Sequence, residues 1–154
     1  VKDSLFASKI ISYAQGLSLI SIVGKHQNWD LNLAGIAKIW RGGCIIRARF
    51  LSDISNAFRK NPELSNLMID SVFASILKNC QSNLRAVVSL GVLNGIPIPA
   101  LSASLSYYDS FRSERLPANL LQAQRDFFGA HGYERLDAEE GKLFHTENWP
   151  SLVE

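Results

Sequence analysis

Apolar side chains return at steps of three and four along most of this chain, and that rhythm predicts helices. Over residues 3–27 it is carried by Leu5, Phe6, Ile10, Tyr13, Ala14, Leu17, Ile20 and Ile22. Asp3 or Ser4 is the expected cap, and Gly24 with the polar residues 25–28 is the expected stop. Gly16 in mid-helix costs about 1 kcal/mol against alanine and is expected to mark a close helix crossing. Asn32 is the candidate cap of a second helix with Leu33, Ile36, Ile39 and Trp40 on one face. Arg41-Gly42-Gly43 then bends the chain, and the helical period resumes through Cys44, Ile45, Ile46, Phe50, Leu51, Ile54 and Phe58.

Asn61-Pro62 is a break, because proline disfavours helix in the residue before it. Residues 63–94 follow as one or two helices, with Asp70 as the possible divider. Asn94-Gly95-Ile96-Pro97-Ile98-Pro99 is a rigid turn, and residues 99–113 are helical on Leu101, Leu105, Tyr108 and Phe111. The serines of that segment have no neighbouring histidine base, so no nucleophile is indicated.

The next stretch, residues 116–131, places Pro117 at the first helical position. Leu120, Leu121, Gln124, Phe127 and Phe128 form its face, and Gly129 is the stop. Residues 137–142 then read as a polar turn. Residues 143–150 mix large aromatics with polar groups, show no helical period, and are expected to pack on this chain or on a second subunit. No strand is required anywhere. The expected fold is all-α, about six helices in a compact multi-helical domain over residues 1–133, with an irregular C-terminal tail at 134–154.

Composition narrows the class. Of 154 residues 47% are hydrophobic and 19% charged, which supplies a core and excludes disorder, and a net charge of +2 gives no strong field for nucleic acid or an acidic membrane. Cys44 and Cys80 lie far apart in apolar surroundings, so they are expected as buried thiols and not as a disulfide or metal site. The apolar runs fall short of the ~20 residues that span a bilayer. With no signal peptide at the start, the chain is expected to be cytoplasmic. It opens without methionine on what reads as the inside of a helix, so a piece of a longer chain is expected.

The candidate chemistry sits at the end of the 116–131 helix. Arg125 and His131 are six residues apart, about 240° around an unbroken helix, so they would diverge unless the chain breaks at Gly129. Brought together, a guanidinium fork and an imidazole suit a phosphate or carboxylate. The alternative is an arginine paired with Asp126 or another surface acid and a histidine that merely caps. Arg47 and Arg49 flank an apolar seam and need partners, read as internal ion pairs or an interface rim.

Several longer motifs occur in order: residues 10–16 (IISYAQG), 40–47 (WRGGCIIR), 95–99 (GIPIP), 116–120 (LPANL), 125–131 (RDFFGAH) and 144–146 (FHT), then Trp149. Together they resemble the C-terminal helical domain of the decarboxylating 6-phosphogluconate dehydrogenases. Glu147, between Thr146 and Asn148, departs from that pattern. The resemblance implies a homodimeric enzyme of the pentose phosphate pathway and of gluconate utilisation. It implies NADP, or NAD as in some members, as cofactor and 6-phosphogluconate as substrate, oxidised and decarboxylated to ribulose 5-phosphate. It also implies that the catalytic residues and the glycine-rich dinucleotide loop lie upstream of Val1, so no catalytic, cofactor or metal residue is expected here. Arg125 and His131 carry over as substrate-binding residues reaching into the partner's active site, Arg125 on the phosphate. The tail carries over as an arm crossing to the neighbouring subunit. A non-catalytic helical interaction module of the same fold is the alternative.

Overall fold

The computed structural model describes residues 1–46 and 48–149. Its first helix, α1 (Lys2–His26), buries a stripe of Ala7, Ile10, Ile11, Ala14 and Leu17, and this stripe is the axis of the first of two compact units, Val1–Arg112. The expected caps are used elsewhere. Val1 is the N-cap and makes no side-chain bond, while Ser4 Oγ donates to the Asn83 carbonyl at 2.8 Å and Asp3 Oδ2 accepts from Asn83 Nδ2 at 2.8 Å. Both residues therefore tie α1 to α4 (Ser71–Leu93) and do not close its own first turn. Buried Ser8 and Ser104 share a 2.6 Å hydroxyl bond that fixes α1 against α5 (Pro99–Phe111).

Gly16 does not mark a crossing, since a Cβ built there meets no neighbour within 4 Å. The close approach is at Gly91, where a Cβ would lie 2.7 Å from Ile98 Cδ1. By length and composition α1 could cross a bilayer, contrary to the expectation from apolar runs, but its buried stripe is packed here by α4 and α5.

α2 (Leu33–Ile39) is capped as expected, with Asn32 Oδ1 accepting from Gly35 N–H at 2.9 Å. The helix expected over 44–58 is shorter. α3 covers only Leu51–Lys60, with Leu51, Ile54, Ala57 and Phe58 buried. Gly43 takes φ +73, a conformation that ends helical propagation, and the following Ile45 is 100% exposed. Ile39 is also exposed, as is Arg49, and Arg47 lies outside the described residues. Cys44 and Cys80 are free and half-buried, not fully buried as expected.

Leu67–Ile69 form one 3-10 turn. Asp70 then divides the segment as anticipated, its carboxylate accepting from Val72 N–H at 3.0 Å and Phe73 N–H at 3.3 Å to start α4. Arg85 on α4 holds Asp109 on α5 through a forked pair, with both side chains 36% exposed. Such a pair contributes at most about 1 kcal/mol.

The second unit begins at Ser113. α6 runs Asn119–Gly129 from an Ala118 N-cap, so Pro117 precedes the helix and is not its first residue. Gly129 is the last helical residue, and Ala130 instead adopts the left-handed conformation, φ 50. The expected apolar face is not a buried face within this unit: Leu120, Leu121, Phe127 and Phe128 are all exposed. The one buried residue of α6 is Asp126. A short antiparallel ladder joins β1 (Tyr133–Glu134) to β2 (Leu143–Phe144), with Tyr133 opposite Phe144. No strand was expected, and two residues are too few to show a period. The boundary drawn from sequence at 133/134 falls inside β1.

Candidate functional site

Asp126 is 0% exposed, and its carboxylate is the knot of the second unit. Oδ1 accepts from Gly132 N–H at 3.0 Å and from His145 Nδ1 at 2.8 Å. Oδ2 accepts from Thr146 N–H at 3.1 Å and from Trp149 Nε1 at 3.1 Å. Burial alone would push this carboxyl up. The His145 ring, the Thr146 and Gly132 amides and the Trp149 indole outweigh burial and hold its pKa down at about 2. The group is therefore an anion at neutral pH, and His145 must carry its proton on Nδ1 to donate. Phe127 meets Trp149 edge to face at 5.9 Å, and Tyr133 Oη bonds Thr146 Oγ1 at 2.9 Å. The segment of the tail through Trp149 thus docks on its own α6, one of the two arrangements the sequence left open.

Arg125 and Asp126 are adjacent but leave α6 in different directions, about 100° apart. Arg125 is exposed and is not paired with Asp126, and its Nη1 donates to Gln122 Oε1 at 3.2 Å. Gln122 Nε2 donates in turn to the Gly132 carbonyl. Gly132, at φ +72, is thus gripped at its N–H by Asp126 and at its C=O by Gln122. The residue before it is His131. Its imidazole lies over Gly129, where a Cβ would sit 2.9 Å from Nε2 and 3.1 Å from Cδ2. Gly129 is four residues after Arg125, one helical turn along the same face. The left-handed turn at Ala130 therefore returns His131 to the side of α6 from which Arg125 departs. The face carries two exposed nitrogen-bearing side chains, while the carboxylate of Asp126 is turned inward and occupied. Such a face can accept an anion by guanidinium fork and imidazole N–H.

Asp126 and Gln122 were not singled out from sequence as a scaffold. In the sequence Asp126 stands out only in the alternative reading, as one possible surface acid for Arg125. The tail's aromatic content was the signal available, since a Trp149 packed on the chain would want an acceptor for its indole N–H. Among the described residues no group of three or more His, Cys, Asp or Glu side chains could hold a metal. The described residues do not form the strand–glycine loop–helix turn of a dinucleotide fold. Their only strands are two residues long and antiparallel, whereas the pyrophosphate-binding turn needs a parallel strand running through a glycine loop into a helix.

Residues 1–149 match the family model described as 6-phosphogluconate dehydrogenase, C-terminal domain. The chain belongs to that family. The decarboxylating 6-phosphogluconate dehydrogenase of Ceratitis capitata is 56% identical over 149 residues, 97% of this chain and 31% of the relative. The NADP(+)-dependent, decarboxylating 6-phosphogluconate dehydrogenase of Bacillus subtilis (strain 168) is 54% identical over 147 residues, 96% of this chain and 31% of the relative. A solved structure of 6-phosphogluconate dehydrogenase from Plasmodium falciparum, studied in its apo form and in complex with its cofactor NADP+ and its substrate 6-phosphogluconate, superposes with a TM-score of 0.86 at 50% identity. It covers 94% of this chain, which spans 31% of that one. The chain thus spans about a third of the 6-phosphogluconate dehydrogenases it matches.

Proposed function

We propose that the polypeptide carrying this chain oxidises 6-phosphogluconate with NADP and decarboxylates the resulting keto acid to ribulose 5-phosphate, as a cytoplasmic enzyme of the pentose phosphate pathway. The observation that carries this reading is identity above one half with decarboxylating 6-phosphogluconate dehydrogenases across 97% of the chain. In this reading the domain contributes contacts of a homodimer and delivers Arg125 and His131 to the active site of the partner subunit. Arg125 clamps the substrate phosphate, and His131 adds a polar contact. The exposed face they share supports this, as does the grip of Asp126 and Gln122 on Gly132, which orders the turn that carries His131.

The test is Arg125→Ala in the full-length polypeptide. Loss of a charge-assisted bond to a phosphate dianion costs on the order of 2–3 kcal/mol, so KM for 6-phosphogluconate rises about 30- to 150-fold. An unchanged KM removes Arg125 from the site. The dimer is tested separately. Leu120, Leu121 and Phe128 on α6 are apolar and exposed, as are Leu90, Val92 and Leu93 on α4, and surfaces of this kind are characteristic of association. Light scattering at micromolar concentration is expected to give twice the mass of one polypeptide, and a monomer mass contradicts the assembly.

A further inference from the structure

The helical hairpin of α2 and α3 in the first unit carries an open cavity of about 410 Å³ that the reading above does not use. Its floor is pinned where Ser55 Oγ donates to the Ala34 carbonyl at 2.9 Å. Three cations line it: Lys38 on α2, Arg41 just after it, and Arg59 on α3. Arg59 is aimed in advance, because its Nη2 donates to Asn56 Oδ1. No carboxylate is among the described lining residues. An adjoining cavity of about 440 Å³ shares Arg41 and Ser52 and adds Arg49.

Lys25, Arg85, Arg112 and Arg135 each pair with an aspartate or glutamate. Among the described residues no ion pair reaches Lys38, Arg41, Arg49 or Arg59. Among the described residues other cations also lack an ion pair, Lys2, Lys78 and Arg125 for example, so what sets these four apart is their clustering around adjoining cavities. Four like charges around joined concavities make an anion placed between them favourable. The size of the cavity matches pockets for small molecules, and guanidinium forks match phosphate oxygens.

We propose that the α2–α3 cavity binds a small molecule bearing closely spaced phosphates, as a site separate from the Arg125 face. Lys38 supplies a point charge, and Arg41 and Arg59 supply forked hydrogen bonds. The probe is inorganic pyrophosphate, titrated calorimetrically into the full-length polypeptide carrying Arg125→Ala, with NADP in excess to fill any dinucleotide site. Binding is expected, with inorganic phosphate weaker. Lys38→Gln and Arg59→Gln are each expected to weaken it about ten-fold or more. Both side chains are exposed, so the thermal midpoint should hold, and Lys38→Arg should retain binding. Absence of pyrophosphate binding overturns the proposal. So does equal affinity in the glutamine variants, or heat reproduced by sodium chloride of matched ionic strength.

Discussion

Gly129→Ala tests the geometry of the Arg125 face most directly, because its two effects separate. Gly129 is helical, so alanine is allowed there, and the exchange adds helix propensity worth up to about 1 kcal/mol, less at a last helical position. Against this, the new methyl falls 2.9 Å from His131 Nε2 and 3.1 Å from Cδ2, inside ordinary contact. The ring must retreat by roughly half an ångström or leave the face, and an off-rotamer imidazole costs about 0.5–1.5 kcal/mol. The two terms nearly cancel, so the folding free energy should change by less than about 0.5 kcal/mol. Binding should not cancel. If His131 donates to the substrate phosphate, displacing it forfeits up to the 1.5–3 kcal/mol of a bond to a charged group, a rise in KM for 6-phosphogluconate between about ten-fold and 150-fold. The assay is steady-state kinetics of the full-length polypeptide, beside thermal unfolding, for Gly129→Ala, His131→Ala and the double variant. If the methyl acts only by moving the ring, the double variant is no worse than His131→Ala alone. Additive effects, or an unchanged KM in Gly129→Ala while His131→Ala raises it, refute the placement of the ring.

Two further outcomes follow from named contacts. Asp126→Asn sets an amide N–H against one of the donors Gly132, His145, Thr146 and Trp149, and it should release the tail and raise KM with little effect at α1–α5, read from Trp149 fluorescence and from kinetics. In the unaltered protein the Asp126 carboxyl is depressed from 3.8 to about 2, so its contribution is complete above pH 4 and is lost as pH falls toward 2; a tail signal already lost at pH 5 contradicts the four-donor knot. Gly91→Ala places a methyl 2.7 Å from Ile98 Cδ1 and should destabilise by about 1–3 kcal/mol despite better helix propensity. Ile98→Val should restore most of the loss by chemical denaturation, and failure to do so places the strain elsewhere.

What the chain determined by itself is what short-range physics can hold. Asn32 caps α2 through an amide three residues on, and Asp70 starts α4 through amides two and three residues on. The Asn94–Pro99 turn and the Asn61-Pro62 break likewise act within their own segment, so the helices among the described residues and, the start of α3 apart, their approximate ends could be read from sequence. The motifs that matched a known family carried the candidate residues as well. Only the tertiary structure decided how those residues are held. The partners of Asp126 lie 6, 19, 20 and 23 residues along the chain, beyond any periodic signal, and a buried aspartate beside an arginine reads as a surface pair until its donors are seen. The period from Cys44 to Phe50 predicted helix, and the irregular segment prevailed because Gly43 turns left-handed and leaves Ile45 in solvent. The apolar stripe of α6 gave a helix face, and Leu120, Leu121, Phe127 and Phe128 are exposed there. Periodicity reports that a side is apolar; which surface covers it depends on partners that sequence spacing does not encode.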